Sequence, residues 1–298
     1  MARDEHMMNG GRNYMPRIQS SSYGVSRVRL LRIFRHGDRD DPRDLTIALR
    51  FDGDFTAAFR DGDAGGVLPS ETVNNLVRRA ACEVETANLE DLALLLCARV
   101  LEQHAAIGRV RIDVVEQPWA RLDVSGKAQG QAFTPAGMER RTTAVTSNGK
   151  RTAVVSGIEN LVVMRTAGFA PPRRAIDADQ GRSDGLQPLL VVALSARWTY
   201  STPDIAFAPY RLGARAAIVE TVARHAARSL HHTLYAVGDV LLATYQEIVD
   251  VTLGAEERPY RPADLFQTGI ENPDVVFVAR DEPVALVEVT VTRDNGSG

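Results

Sequence analysis

The 298-residue chain reads as an α+β protein built from two similar halves. Two patterns predict this: strand-like alternation of apolar residues at the ends of each half, and a pair of helix-period runs between them. The first half runs strand, strand, helix, helix, strand, strand, and a similar set of elements recurs in the second. Recurrence at half-chain length points to a tandem duplication, although the halves share little residue identity and the pattern alone leaves a generic pair of α+β domains open. With 44% hydrophobic and 24% charged residues, the composition suits a soluble protein with a real core, as two domains of about 150 residues or one large one.

Residues 1–22 are polar, rich in Ser, Asn and Gly, and lack an apolar signal core, so they read as a flexible arm. Val28, Leu30 and, after a shift at Leu31, Ile33 alternate with arginines, the period of a strand with one buried face. Leu45, Ile47, Leu49 and Phe51 repeat it up to Asp52-Gly53, which makes a hairpin. Helical spacing follows at 71–87 and 88–105; Asn88 is placed to cap the second helix, with Glu90 and Asp91 in a first turn that favours negative charge. Val110, Ile112 and Val114, then Trp119, Leu122 and Val124, supply the last two strands of the half before Gly126 breaks the pattern. The second half has strand-like runs at 152–165 and 189–200, helices at 209–228 and 229–248, and strands at 249–253, 274–279 and 285–292. The expected division is an arm at 1–22, a first unit at 23–150 and a second at 151–298.

A net charge of −3 from 35 basic and 38 acidic residues, with arginine dispersed along the chain, leaves no electrostatic footprint for nucleic acid or anionic lipid. No apolar run approaches the ~20 residues of a membrane span. Cys82 and Cys97 lie inside helical patterns and make neither a disulfide framework nor a metal knuckle, so a reducing cytoplasm is the expected setting. The glycine-rich 62–66 lacks the strand-loop-helix context and the Lys-Ser/Thr of a phosphate cradle and reads as a turn; the charged 36–41 reads as a solvated loop.

Several motifs occur in one order: Tyr23-Gly24-Val25 opening a strand, Gly53-Asp54-Phe55, Gly62-Asp63-Ala64, Trp119-Ala120-Arg121-Leu122 up to Gly126-Lys127, Ser156-Gly157, Leu161 to Thr166, Thr233-Leu234-Tyr235, Asp264-Leu265 and Asp281-Glu282-Pro283. Together they resemble the urate oxidase (uricase) family, and the resemblance runs from Tyr23 to Arg293. It implies two tunnelling-fold (T-fold) units, each an antiparallel four-stranded sheet backed by two helices. It also implies a homodimer or homotetramer joined sheet edge to sheet edge, a site at the subunit interface, and no cofactor. Closing exposed sheet edges into a barrel gives such assembly a physical motive. The C-terminal Asn295-Gly296-Ser297-Gly298 lacks the peroxisomal tripeptide of eukaryotic members, which fits a bacterial cytoplasmic protein.

The departures from the family gather where the resemblance places the chemistry. The catalytic lysine position is Val25, the threonine hydroxyl is kept as Ser70, and the stacking phenylalanine is matched by Phe169. The clamping arginine falls near Pro188, with Arg182 a displaced candidate; the glutamine is His231, the asparagine Ala255 and the histidine Glu257. Valine carries no proton, so the family's relay cannot run through position 25.

The expected remaining chemistry is an acid/base pair, His231 with Glu257, in which the carboxylate raises the imidazole's basicity and fixes its tautomer. Phe169, Leu230, Arg182, Val25, Ser70 and Ala255 are the candidate substrate-binding residues. Against this stands the reading of His231 as a simple hydrogen-bonding or capping residue and Glu257 as solvated. His231, His232 and His225 raise copper or another metal, although adjacent helical residues point about 100° apart and cannot easily share an ion. The expected function is an oxidase or oxygenase using dioxygen on a planar heteroaromatic small molecule other than urate, in a specialised pathway. The alternatives are an inactive ligand-binding or structural protein, a true urate oxidase, and a copper-dependent oxidase.

Overall fold

The computed structural model describes residues 16–166, 189–225, 229–280 and 285–293. β1 (Ser21–His36) and β2 (Arg39–Gly53) form a long antiparallel hairpin turning at Gly37 and Asp38. A short α1 (Thr56–Arg60) leads to α2 (Ser70–Glu83) and α3 (Leu89–Gln103), and β3 (Ile107–Gln117) returns beside β2. A separate ribbon follows, β4 (Trp119–Val124) paired with β5 (Lys127–Pro135), before β6 (Arg140–Ser147). The second half runs β7 (Thr152–Arg165), β8 (Leu190–Tyr200), α4 (Ala208–Arg224), α5 (Leu230–Thr244) and β9 (Ile248–Glu257). It ends with a small pair, β10 (Tyr260–Pro262) and β11 (Phe277–Ala279), and then β12 (Leu286–Thr292).

Eight strands make one antiparallel sheet in the order β1-β2-β3-β6-β7-β8-β9-β12, so four strands from each half join through the β6–β7 pairing. The α+β expectation holds. Helices cover one face: Leu45, Ile47, Leu49 and Phe51 of β2 and Val110, Ile112 and Val114 of β3 pack under Val73, Val77, Leu92 and Leu96. Burying each such side chain stabilises the fold by about 1.5–3 kcal/mol. The intervening residues, among them Arg50, Arg111 and Asp113, line the uncovered face with ion pairs.

Three readings from the sequence need correction. The shift in β1 lies between Val25 and Val28, where Arg27 takes φ 58°, and not at Leu31. Leu31 and Ile33 are consequently exposed while Arg32 and Phe34 face the helices, because the Arg32 guanidinium donates to the Val84 carbonyl at the end of α2. The fourth strand of the first half is β6, and Trp119 to Val124 belong to the outlying ribbon. β6 escaped the periodicity reading because its inward residues are Thr143, Val145 and Ser147, only one of them apolar. The 274–279 run likewise falls in the β10–β11 pair, outside the main sheet.

Candidate functional site

The Tyr-Gly-Val segment has a physical explanation at each residue. The Tyr23 hydroxyl accepts the Leu68 backbone N–H at 2.9 Å, and its ring packs on Phe51 and Phe55 at 5.1 and 4.6 Å, tying the start of β1 to the approach to α2. A Cβ on Gly24 would stand 2.0 Å from the Leu49 carbonyl oxygen, so only glycine fits this approach of β1 to β2. Val25 pairs with Leu49 and is half-buried against the core. Ser70, exposed, begins α2 two residues beyond Leu68. Val25 and Ser70 thus belong to the same end of the first half.

The other candidates gather on the far flank. Ser229 caps α5, its hydroxyl accepting the His232 N–H at 3.2 Å, as the reading of a helix beginning there anticipates. Three residues connect α5 to β9, so the helix runs back along the strand and its first turn lies at the end where β9 finishes. Leu230 is half-buried there, and Ala255 is 1% exposed on β9. Strand alternation puts Glu257 on the same face as Ala255 and Leu253. His231 is exposed on the first turn, and among the described residues no hydrogen bond or ion pair joins it to Glu257. Phe169 and Arg182 lie outside the described residues.

Among the described residues, two of the three candidate histidines meet each other. His225 and His232 meet edge to face with ring centroids 4.6 Å apart, without His231. Among the described residues no three His, Cys, Asp or Glu side chains gather as a metal site. Arg258 was missed by the sequence reading. It is half-buried one residue beyond Glu257 and donates to the Asn160 side chain at 3.2 Å; only its place after two glutamates hinted at a role.

Six strand spacings separate β1 from β9, about 29 Å along the sheet, which is beyond side-chain reach. Two clefts within the chain, one lined by Ile158, Leu194, Ile218 and Leu234 and the other by Arg32, Phe34 and Leu92, each hold only about 10 Å³. That is room for one water-sized sphere, not for a planar ring. Neither cleft reaches from one flank to the other among the described residues.

An antiparallel sheet of two four-stranded halves, backed by helices on one face and with its candidate residues divided between the flanks, defines a tandem tunnelling-fold protein. The family model described as Uricase matches residues 21–146 and 154–288, and the chain belongs to the uricase family. It is 28% identical to a uricase of Arthrobacter globiformis over 93% of this chain and 90% of that protein. It is 26% identical to a uricase of Dictyostelium discoideum over 94% of this chain and 99% of that one. The crystal structure of the Arthrobacter globiformis uricase superposes with a TM-score of 0.83 at 26% identity, covering 96% of this chain and 98% of the other. Among the described residues no helix is long and apolar enough to cross a membrane.

Proposed function

We propose that this uricase-family chain is an oxidase or oxygenase that uses dioxygen on a planar heteroaromatic small molecule other than urate, at a site completed between two copies. The observation that carries the proposal is Val25. The Tyr23 and Gly24 framework around it is intact, yet the position where the resemblance puts the family's lysine holds an apolar side chain packed on the core. A hydrocarbon side chain accepts no proton.

In this reading His231 and Glu257 handle protons across the interface, Ser70 holds a water, and Phe169 stacks the ring. Leu230, Ala255 and Arg182 shape and neutralise the pocket. The substrate must be electron-rich enough, once deprotonated, to pass electrons to dioxygen directly, so no cofactor is required. A homodimer or homotetramer closes the β1 and β12 edges, which end the sheet. The reading takes its two units to meet at 150/151, beside the turn where Asn148 accepts the Lys150 and Arg151 N–H groups. A bacterial cytoplasmic setting suits the free thiols of Cys82 and Cys97.

A second reading, a binding or structural protein without turnover, is favoured by the lack, among the described residues, of a hydrogen bond or ion pair between His231 and Glu257. Oxygen uptake by purified, metal-assayed protein against electron-rich purines, pteridines and phenols decides between them. The expected result is uptake with a non-urate compound, little with urate, and a rate lowered about 10²-fold or more in His231→Ala and Glu257→Ala. No uptake with any compound, together with unchanged ligand binding in both variants, would sink the proposal.

A further inference from the structure

The two halves match in register as well as in the order of their elements. In β1, Gly24 pairs with Arg50 and Val25 with Leu49, a bulge follows with Arg27 at φ 58°, and Val28 pairs with Ile47. In β7, Gly157 pairs with Arg197 and Ile158 with Ala196, a bulge follows with Asn160 at φ 57°, and Leu161 pairs with Leu194. A Cβ on Gly157 would meet the Ala196 carbonyl oxygen at 2.5 Å, as one on Gly24 would meet that of Leu49. Farther along, Arg32 donates to the Val84 carbonyl where α2 ends, and Arg165 to the Val222 and His225 carbonyls where α4 ends. Tyr23, just before Gly24, therefore corresponds to Ser156, just before Gly157.

The later elements match in the same way. Asn88 and Ser229 occupy the N-cap positions of α3 and α5, and Glu90 and His231 are the second residues of those helices. Val114 and Ala255 are the eighth residues of β3 and β9; Val114 pairs onward with Thr143 of β6, and Ala255 with Val287 of β12.

At the β6–β7 pairing, where the halves join, Ser156 stands opposite Thr143 and both hydroxyls donate to Glu90. The corresponding residues lie at the two ends of the sheet, with α5 and β12 at one edge and β1 at the other. When β12 of one copy lies beside β1 of another as β6 lies beside β7, His231 takes the place of Glu90 and Val287 that of Thr143. Tyr23 of the second copy takes the place of Ser156. Valine has no hydroxyl, so of the two hydroxyls around Glu90 only the one from Tyr23 has a counterpart. The Tyr23 oxygen accepts the Leu68 N–H at 2.9 Å, and among the described residues its own hydrogen meets no acceptor.

We propose that Tyr23 of one copy is a positioning residue for His231 of its neighbour, its hydroxyl donating to one imidazole nitrogen. The proposal rests on the reading of a site completed between two copies. A neutral imidazole that accepts at one nitrogen carries its hydrogen on the other, so His231 presents an N–H donor to the bound ring. The tautomer-setting role expected of Glu257 passes to Tyr23, in keeping with the lack of a hydrogen bond between His231 and Glu257 among the described residues.

The test is the nitrogen-15 spectrum of the assembled full chain carrying labelled histidine, with His231 assigned by the signals lost in His231→Gln. Taken at about pH 8.5, where imidazole is neutral, the ring shifts report the tautomer. The tautomer ratio of the wild type is expected to lie at least about fivefold further to one side than that of Tyr23→Phe. Phe55→Leu, which loosens the packing of the Tyr23 ring and keeps its hydroxyl, is expected to retain the wild-type ratio. Should Tyr23→Phe not fold, a crystal of the assembled wild type is expected to place the Tyr23 Oη within about 3.2 Å of a His231 ring nitrogen of the neighbouring copy. The proposal is overturned by equal ratios in the wild type and Tyr23→Phe, by the same loss in Phe55→Leu, or by a crystal in which the two groups stand apart. A fixed tautomer in a protein that consumes no oxygen would uphold the contact and overturn only the oxidase reading; oxygen uptake with mixed tautomers would do the reverse.

Discussion

Each flank of the sheet carries a glycine at a close approach, and the two differ in what stands opposite. At Gly24 on β1 the obstacle to a side chain is the Leu49 carbonyl oxygen, a backbone atom held in a ladder. At Gly238 on α5 it is the Val291 side chain of β12, the last strand of the sheet, with its Cγ2 at 2.7 Å. The first flank is therefore fixed by main chain and the second by a side chain that can turn. On the first flank Tyr23 and Gly24 hold the fold, and Val25 beside them pairs with Leu49 and packs against the core.

The largest expected effect comes from breaking the rigid flank. Gly24→Ala places a methyl group where the Leu49 oxygen lies, and the strand pair must separate to admit it. A loss of about 3 kcal/mol or more is expected in denaturant unfolding, or a failure to accumulate folded protein. A loss under about 1 kcal/mol would mean that β1 slides freely along β2, and the contrast between the flanks would disappear.

A smaller effect is expected midway between the flanks, where Glu90 of α3 is buried beneath β6 and β7. It accepts hydrogen bonds from Ser156, and from Thr143 at 3.2 Å, and burial pushes its carboxyl above the usual carboxylate range. The native state therefore keeps the proton at pH values where the unfolded chain has released it. The contribution to stability is full below the unfolded-state pKa, falls as pH rises through the native-state pKa, and levels off above it. Glu90→Gln keeps an acceptor for the two hydroxyls and removes the titration, so its stability is expected to be flatter across that window. At neutral pH the variant should equal or exceed the wild type, by about 1–2 kcal/mol at most. A pH profile parallel to the wild type's would assign the slope to other groups.

The sequence showed these regions unequally, for physical reasons. Alternation marked β2, β3, β8 and β9 because their inward residues are apolar, as with Val251, Leu253 and Ala255. It failed in β6 and in the second part of β1, where Thr143, Ser147 and Arg32 point inward to meet polar partners. The spacing places Glu90 in a helical first turn that favours negative charge and shows nothing of its burial, which depends on Ser156 and Thr143 from strands far along the chain. The candidate site was legible as residues and not as geometry. Val25 and Ser70 stand on one flank and His231, Ala255 and Glu257 on the other, so one chain cannot display them together.

The smallest effect should come at Gly238, where two terms oppose each other. Alanine in a helix interior is favoured over glycine by about 1 kcal/mol, while overpacking a buried contact costs about 1–3 kcal/mol. Val291 is half-buried on an edge strand and can change rotamer, which keeps the second term at its lower end. Gly238→Ala is therefore expected within about 1 kcal/mol of the wild type. Any loss should be recovered by adding Val291→Ala, since the obstacle is then removed. The same rescue is impossible on the other flank: no substitution at Leu49 removes a carbonyl oxygen, so Leu49→Ala should only add its own cavity to the defect of Gly24→Ala. Rescue at one flank and further loss at the other would establish that β1 is held by backbone and β12 by packing; failure of the Val291→Ala rescue would make the two flanks equally rigid.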